Sequence, residues 1–331
     1  MTTDGASILS VELRERLTPL FGADIAIERL ALLPGGASKE AWALDLRTPQ
    51  GTHELLVRRA GGGVIHQETL TLEHEYRLLE VVFAAGVRVP KPYGYLGEIA
   101  GRPAFLSERV SGETIGRRIV QRPELAGARA VLPAQMAEEL AKIHAIPAER
   151  VPFLRGIGAS DVLGRLTDEV DNLGDAHPAI ELGLAWARRH APEQSETVVL
   201  HGDLRVGNLA VTATGLGHVL DWEFGHYGDP AEDVAWPLVR AWRFGIDHLR
   251  LGGIGEVEPY LEHYNALSGR HITLDALDYW EIVGNLKWAI GALTQSRRHL
   301  SGQQRSVELA VLGRLAAEME YELLHLLERA G

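Results

Sequence analysis

The sequence predicts an α+β fold with two lobes, in which a small antiparallel sheet carrying one helix precedes a larger, mainly helical region. Short apolar runs alternate with turns in the first part of the chain, whereas helical periodicity dominates from Pro133 onward. A third observation is residues 197–228, where short apolar runs and polar clusters interrupt the helical part. Polar residues set between buried strands are typical of a functional site.

The first region follows the order of three strands, one helix and two strands. Turns at Pro34-Gly35-Gly36 and Pro49-Gln50-Gly51 separate the first three strands, which indicates a meander. The helix is predicted over residues 65–85, because apolar residues recur there at helical spacing and Gly86 follows. The predicted strands are 25–33, 40–46, 54–58, 93–97 and 103–110.

The second region begins after these strands. Met136, Leu140 and Ile143 share one helical face, and long periodic segments run between Leu274 and Leu327. Between the helices, three apolar runs read as short strands, at 198–200, 209–211 and 218–220. We therefore predict a first lobe over residues 1–109 and a second over residues 110–331.

Composition excludes several classes of function. The 331 residues carry a formal net charge of -12, which disfavours binding to a nucleic-acid backbone. The absence of cysteine excludes disulfides, thiolate metal sites and cysteine nucleophiles. Apolar runs such as residues 81–85 are too short to span a bilayer, so we expect no membrane association and a cytoplasmic location.

One constellation carries chemistry. Residues 201–208 read His-Gly-Asp-Leu-Arg-Val-Gly-Asn, and Asp221-Trp222-Glu223 follows after a further strand. Phosphoryl transfer needs a carboxylate that orients and deprotonates a hydroxyl, oxygen ligands for Mg²⁺, and cations near the transferred group. Asp203 suits the first task, and Arg205 could face the γ-phosphate. Asn208 and Asp221 offer the hard oxygen ligands that Mg²⁺ prefers.

A purely structural interpretation exists for each of these residues. Asp and Asn are common turn formers, so either one alone in a loop would indicate only a turn. The joint spacing favours the functional interpretation. His201 is better explained as a hydrogen-bonded core histidine that orients the loop, since Asp203 already supplies a base.

The motif resembles the aminoglycoside phosphotransferase and choline kinase-like superfamily, relatives of protein kinases, whose loops read H-G-D-x-x-x-x-N before a strand that ends in I-D-W/F-E. The resemblance implies a protein-kinase-like two-lobed fold, and it assigns the catalytic role to Asp203 and the metal to Asn208 and Asp221. Gly202 stands where protein kinases have Arg, which indicates the branch that acts on small molecules. Family precedent makes Asp229, with Asp233 nearby, a structural support for the loop.

The resemblance also identifies a nucleotide side. The turn that contains Gly35, Gly36 and Ser38 could fold over phosphates, although Gly-Gly is equally a common hairpin turn. Kinases pair a third-strand Lys with a helix Glu; here Arg58 and Glu75 occupy those places, and Arg59 competes with Arg58. Phosphotransferases associated with acyl-CoA dehydrogenases carry an L-R-R strand and an E-Y-R helix, which Val57-Arg58-Arg59 and Glu75-Tyr76-Arg77 resemble, and the tail over residues 302–324 is also similar to that branch.

A hinge is expected between the lobes. Residues 105–112 resemble the family's F-x-x-M-E-x-V-x-G segment, and this resemblance implies that the backbone of Glu108 and Val110 binds the adenine edge. A plain edge strand would explain the same residues. Because backbone groups would read the base, the side chains here carry no information about nucleotide choice, and ATP and GTP both stay open.

The predicted activity is ATP- and Mg²⁺-dependent transfer of a phosphoryl group to a hydroxyl of a small molecule. The acyl-CoA dehydrogenase branch suggests hydroxyacyl acceptors; antibiotics and sugars stay open. Residues 278–298 mix Lys287, Arg297 and Arg298 with acidic residues, which disfavours polycationic aminoglycosides. The alternative is a nucleotide-binding pseudokinase that regulates a partner. A hydrolytic metalloenzyme is disfavoured, because no H-E-x-x-H pattern occurs.

Overall fold

The computed structural model describes residues 3–34, 39–61, 69–192 and 196–330, with side chains from Leu9 onward. The chain divides into two compact units. The first comprises Met1–Gly112, Glu149–Phe153 and Gly217–Gly225, and the second comprises Glu113–Ala148, Leu154–Leu216 and His226–Gly331. A sheet characterises the first unit and helices the second, so the predicted α+β class is confirmed.

The first unit contains a five-stranded sheet in the order β1-β2-β3-β5-β4, in which every neighbouring pair is antiparallel. The predicted three-strand meander is therefore confirmed; its first strand is one residue shorter at each end than predicted, and its second and third strands are longer. The strands are β1 (Ala26–Leu32), β2 (Lys39–Thr48), β3 (Gly51–Ala60), β4 (Pro92–Ile99) and β5 (Arg102–Glu108).

A helix that the sequence interpretation did not include, α1 (Thr3–Phe21), precedes the sheet. Its leucines Leu9, Leu13 and Leu17 are fully buried at a spacing of four residues, which places them on one face of a helix. They pack into the hydrophobic core of the first unit, together with strand residues that include Trp42, Leu44, Leu55, Val57, Leu96 and Leu106. The leucine spacing was the available signal for this helix.

The second helix of the first unit, α2 (Leu72–Ala84), begins later than predicted. Thr71 has extended backbone and its side chain accepts a hydrogen bond from His74 N–H, so the helix starts immediately after it. Of the predicted start, residues 65–68 lie outside the described residues, and residues 69–71 are not helical. This cap places Glu75 in the first turn of α2, where it is buried.

The second unit is mainly helical, as predicted. Its helices are α3 (Gly116–Gln121), α4 (Ala126–His144), α5 (Ala159–Leu173), α6 (Pro178–Arg189), α7 (Pro230–Ala235), α8 (Val257–Ser268), α9 (Leu274–Leu300) and α10 (Val307–Ala330). The strands predicted within residues 197–228 are present as β6 (Val198–Leu200), β7 (Leu209–Thr212) and β8 (Gly215–Val219). A short strand, β9 (His226–Gly228), pairs antiparallel with β6.

The helices were also compared with the dimensions of a bilayer. Across the described ranges, none combines the length and the apolar character that a membrane-spanning helix requires.

Candidate active site

In the first unit, two cationic side chains project from the same face of the sheet. Arg58 on β3 lies opposite Ala41 on β2, and Lys39 is two residues before Ala41. Because side chains alternate across a strand, Lys39 and Arg58 share a face. Both ion-pair with Glu75 of α2, and Arg58 Nε lies 3.1 Å from Glu75 Oε1. The sequence interpretation included Arg58 and Glu75 but missed Lys39, which starts a strand directly after the Gly-Gly turn.

Both cations also contact the Asp-Trp-Glu motif. Arg58 forms an ion pair with Asp221, and Lys39 Nζ lies 2.8 Å from Glu223 Oε2. Burial raises the pKa of Glu223 and the negative charge of Asp221 raises it further, whereas Lys39 and Arg58 oppose the shift. Three carboxylates and two cations leave this cluster with one excess negative charge. The two cations thus compensate most, but not all, of the carboxylate charge.

Asp221 itself has an unusual backbone. Its φ is 66°, in the left-handed region that residues other than glycine seldom adopt. Strained backbone of this kind is typical of functional sites, where the surrounding structure imposes it. The strain supports a functional role for Asp221 over that of an ordinary turn residue.

Arg59 projects from the other face of β3. It is buried, its guanidinium donates to the carbonyl oxygens of Ile99 and Ala100 at 2.9 Å each, and it pairs with Glu40 at 2.7 Å. The Arg59 guanidinium is therefore already bound by groups of the protein on this face of the sheet. The structure therefore favours Arg58 over Arg59 as the candidate for phosphate binding.

The other predicted nucleotide residues divide into two groups. Gly35, Gly36 and Ser38 lie outside the described residues. At the predicted hinge, Glu108 ends β5 and its N–H donates to Lys91 O at 2.9 Å. The Glu108 N–H is therefore occupied by a bond within the protein. The Val110 N–H has no hydrogen-bond partner in the described part of the chain, so it is free to bind a base.

In the second unit, the catalytic-loop motif follows β6 directly. His201 is fully buried, and the backbone N–H groups of His201 and Gly202 donate to the Asp233 carboxylate at 2.6 and 2.8 Å. Gly202 has a φ of 78°, which explains glycine at this position. His201 Nδ1 accepts a hydrogen bond from Asp203 N–H at 3.1 Å. This contact agrees with an orienting role for His201.

The Asp203 carboxylate receives three side-chain donors. Trp236 Nε1–H and Arg205 Nε–H donate to Oδ1 at 2.6 and 3.1 Å, and Asn208 Nδ2 donates to Oδ2 at 2.6 Å. Asn208 Nδ2 also donates to the Asp203 carbonyl oxygen at 2.9 Å. The carboxylate is therefore fixed in one orientation, and Asn208 keeps its amide oxygen as the atom that could bind a metal.

Arg205 is held against aromatic and glycine surfaces. Its guanidinium carbon lies 4.2 Å from the ring centroid of Trp242, a cation–π contact. A Cβ atom at Gly207 would lie 2.1 Å from Arg205 Nη1, so a side chain at this position would displace the end of Arg205. Glycine at position 207 therefore leaves room for the observed position of the Arg205 guanidinium.

Two aspartates at α7 have different roles. Asp229 caps α7, and its side chain accepts a hydrogen bond from Ala231 N–H at 2.9 Å. Burial raises the pKa of Asp229. Burial also acts to raise the pKa of Asp233, but hydrogen bonds and charges from His144 and His201 outweigh it and lower the pKa. Asp229 thus caps a helix, whereas Asp233 holds the loop backbone.

The sequence interpretation did not include Trp236, and it gave Lys287 no specific role. Trp236, in a short 3₁₀ segment after α7, contacts Asp203 as described, and Lys287 of α9 lies over its ring at 4.9 Å. Three other polar or aromatic residues of α9 are buried in the helical core: Tyr279, Trp280 and Asn285. The sequence signal for Trp236 was its place three residues after Asp233.

The predicted site residues that the structure describes thus fall into both units. Arg58, Glu75, Glu108, Val110 and Asp221 lie in the first unit. The second unit holds Asp203, Arg205 and Asn208. Within the described residues, no group of three or more His, Asp or Glu side chains is arranged to hold a metal ion. Metal binding by Asn208 and Asp221 therefore stays a prediction.

Comparison with known proteins places these observations in a family. The sequence signature described as "Phosphotransferase enzyme family" matches residues 29–274. Acyl-CoA dehydrogenase family member 10 from Mus musculus is 27% identical over 293 residues, which are 80% of this chain and 26% of that protein. The chain therefore spans about a quarter of that relative's length.

Solved structures support the fold. A protein from Ralstonia eutropha assigned as an aminoglycoside phosphotransferase has a TM-score of 0.75 at 21% identity, covering 97% of this chain and 98% of that one. Spectinomycin phosphotransferase, solved with ADP and spectinomycin, has a TM-score of 0.65 at 11% identity, with coverages of 95% and 98%. These similarities confirm the predicted kinase-like fold.

Proposed function

The chain belongs to the phosphotransferase enzyme family, and on that premise we propose that it transfers the γ-phosphoryl group of ATP to a hydroxyl of a small molecule with the help of Mg²⁺. The family makes the chain a small-molecule phosphotransferase that uses a nucleotide. The observation that carries the proposal is the Asp203 carboxylate, which three side-chain donors fix within the His-Gly-Asp loop.

Asp203 is the proposed orienting group and base. The acceptor hydroxyl hydrogen-bonds to the carboxylate, its oxygen forms a bond to the γ-phosphorus as the bond to ADP breaks, and its proton passes to Asp203. Because Trp236, Arg205 and Asn208 already hold the carboxylate, no reorientation is needed when the acceptor arrives. Arg205 neutralises charge on the transferred group.

Arg58 and Lys39 are the proposed phosphate-binding cations. Each now pairs with carboxylates that include Glu75, and each could exchange one of these contacts for a phosphate oxygen. Arg58 adds bidentate geometry, whereas Lys39 adds a compact charge. Glu75 acts as the anchor that positions both. The predicted phosphate turn of Gly35, Gly36 and Ser38 and the adenine contacts of Glu108 and Val110 are part of the same proposal.

Mg²⁺ fits the donor set, because the Asn208 amide oxygen and the Asp221 carboxylate are hard oxygen ligands and the cluster around Asp221 has excess negative charge. When bound, Mg²⁺ would neutralise developing phosphate charge. We propose the division into residues 1–109 and 110–331 as the nucleotide-binding and acceptor-binding lobes. A cytoplasmic location belongs to the same proposal.

A substitution at Asp203 tests this assignment. We expect Asp203→Asn to lower kcat by about 100-fold to 10,000-fold, because the base is lost while the shape is kept. ATP consumption would be measured with hydroxyacyl compounds, sugars and antibiotics as acceptors, and nucleotide binding would be measured by thermal shift. Asp171→Asn, an exposed position on α5, is the matched control.

Two outcomes would count against the proposal. Unchanged turnover in Asp203→Asn with intact Mg²⁺-ATP binding would exclude the assigned role of Asp203. Nucleotide stabilisation of the wild-type protein without consumption of ATP by any acceptor or by water would instead favour the alternative function, a nucleotide-binding pseudokinase.

A further inference from the structure

We propose that the hydroxyl acceptor carries a carboxylate or a similar anionic group, and that Lys287 binds this group on the face of Trp236. The inference rests on the proposed function, because it places the acceptor hydroxyl at Asp203. It assigns a chemical class to the acceptor and a specificity role to a residue of α9.

Lys287 is a half-buried cation with no carboxylate at ion-pair distance within the described ranges, and Glu232 is the carboxylate on which it acts electrostatically from farther away. Its Nζ lies 4.9 Å from the Trp236 ring centroid, and it forms no ion pair or hydrogen bond within the described ranges. Arginines of the same unit differ in this respect. Arg240 pairs with Glu322, Arg243 with Glu281, and Arg250 with Asp278. A half-buried charge is costly unless it is compensated, so an unpaired one is suited to an anionic ligand.

A single indole connects this lysine to the candidate base. The face of Trp236 carries the Lys287 ammonium, and its Nε1–H donates to Asp203 Oδ1 at 2.6 Å. If the acceptor hydroxyl lies at Asp203, an anionic group that is a few bonds from that hydroxyl could therefore bind Lys287. A hydroxycarboxylate has both groups at such a separation.

Two cations lie on neighbouring aromatic faces in this part of the second unit. Arg205 lies over Trp242, whose ring centroid is 5.7 Å from that of Trp236. Arg205 is paired with Asp203, so of these two cations Lys287 is the one that an anionic acceptor group could bind without breaking an ion pair. Glu232 is the buried carboxylate on which Lys287 acts electrostatically, and His226 Nε2 contacts that carboxylate at 3.4 Å.

The electrostatic interaction between Lys287 and Glu232 offers a competing explanation, in which Lys287 only balances the charge of Glu232. Burial raises the pKa of Glu232, but His226 and, more weakly, Lys287 lower it below its usual range. A counter-ion role predicts that Lys287→Met lowers protein stability and leaves acceptor preference unchanged. An acceptor-binding role predicts that the preference changes.

The first test measures preference by turnover. Hydroxycarboxylates with two to six carbons would each be compared with the methyl ester and with the matching amino alcohol, under saturating Mg²⁺-ATP. We expect the wild-type protein to favour the acids over the esters by at least about 10-fold in kcat/KM. Lys287→Met should remove this preference for acids, mainly by raising the KM of the acids. Lys287→Arg should retain most of the preference.

The matched control is Lys91→Met in the first unit, since Lys91 is also a lysine over an aromatic ring, at 5.0 Å from the Tyr93 centroid. It should leave the ratio between acids and esters unchanged. A preference for esters or amino alcohols, or an unchanged ratio in Lys287→Met, would overturn the proposal.

A second test does not require turnover. Amidination rates of Lys287 and Lys91 would be followed by mass spectrometry with each member of the panel, using the full-length protein. We expect hydroxycarboxylates to slow modification of Lys287 several-fold and to leave Lys91 unaffected. Equal rates with acids and esters would contradict the anion site. Protection of Lys287 without any ATP consumption would support the anion site and contradict the proposed function, so the two failures are distinguishable.

Discussion

The charged cluster of the first unit and the catalytic loop of the second hold their carboxylates in different ways. In the first unit, Glu75, Asp221 and Glu223 are balanced almost entirely by two cations, Lys39 and Arg58. In the second unit, Asp203 is held by the neutral donors Trp236 and Asn208 as well as by Arg205.

The difference indicates a division between exchangeable and fixed groups. Ion pairs of long side chains can exchange partners when a charged nucleotide and a metal arrive, because the same charges can be satisfied by new ligands. Hydrogen bonds from an indole and from a backbone-anchored amide have no such replacement, so they keep the carboxylate in place. We expect substitutions in the first cluster to affect nucleotide binding, and those in the second to affect rate or folding.

The largest effect is expected for Asp233→Ala. The substitution leaves the buried N–H groups of His201 and Gly202 without an acceptor and removes one of the two side-chain partners of His144, the other being Tyr264. We expect the free energy of unfolding to fall by about 3 to 5 kcal/mol in urea titrations. Asp229→Ala, which removes only a helix cap, should cost about 1 kcal/mol. Equal losses would show that Asp233 has no special role in holding the loop.

Trp236→Phe tests whether the indole N–H is needed to hold the Asp203 carboxylate in its orientation. The substitution keeps an aromatic face for Lys287 and removes the N–H that binds Asp203. A hydrogen bond to a charged group contributes about 1.5 to 3 kcal/mol, so kcat should fall by about 10-fold to 100-fold.

The matched control for this variant is Trp186→Phe, because the Trp186 N–H is buried and has no partner in the described part of the chain. Its kcat should stay near that of the wild-type protein. A Trp236→Phe enzyme with wild-type kcat would show that the carboxylate does not depend on the indole.

Lys39→Met tests the exchangeable cluster. We expect the Kd for Mg²⁺-ATP, measured by calorimetry, to rise by about 10-fold, because one of two phosphate-binding cations is lost. Lys39→Arg should retain most of the affinity. Arg58→Met should have an effect of similar or larger size, since Arg58 also contacts Asp221. An unchanged Kd in Lys39→Met would limit Lys39 to positioning Glu75 and Glu223.

The smallest effects are expected in the pH dependence of the free energy of unfolding, where Asp233 and Asp229 should behave differently. The lowered pKa of Asp233 gives stability that is present above its unfolded pKa of about 3.9 and is lost as pH falls through the folded value. The raised pKa of Asp229 has the opposite sign, so its ionisation costs stability as pH rises. At pH 7, Asp233→Asn should be destabilised and Asp229→Asn should not.

Urea titrations of these two variants at pH 7 and pH 3 provide the measurement. The gap in the free energy of unfolding between Asp233→Asn and the wild-type protein should narrow at pH 3, because the stabilisation from the Asp233 charge decreases as pH falls below the unfolded pKa of about 3.9. A gap that is independent of pH would show that lost packing, and not the charge of Asp233, explains the loss.

Local sequence patterns predicted much of this molecule. The strand meander followed from turns and alternation, and the long helices of the second unit followed from apolar periodicity. The spacing of Asp203, Asn208 and Asp221 identified the candidate catalytic residues, whose roles stay a prediction. These features depend on residues close together in the chain, so a linear pattern contains them. Even α1 had a local signal in its evenly spaced leucines.

Only the tertiary structure decided which distant side chains meet. Nothing in a linear pattern pairs Lys39 with Glu223, or aligns the Trp236 indole with Asp203 and Lys287. The choice between Arg58 and Arg59 likewise depended on which face of β3 meets Glu75. By itself the sequence determined the fold class and the groups available for chemistry. Their partners were decided by packing, because contacts between residues far apart in the chain depend on how helices and strands are placed against each other.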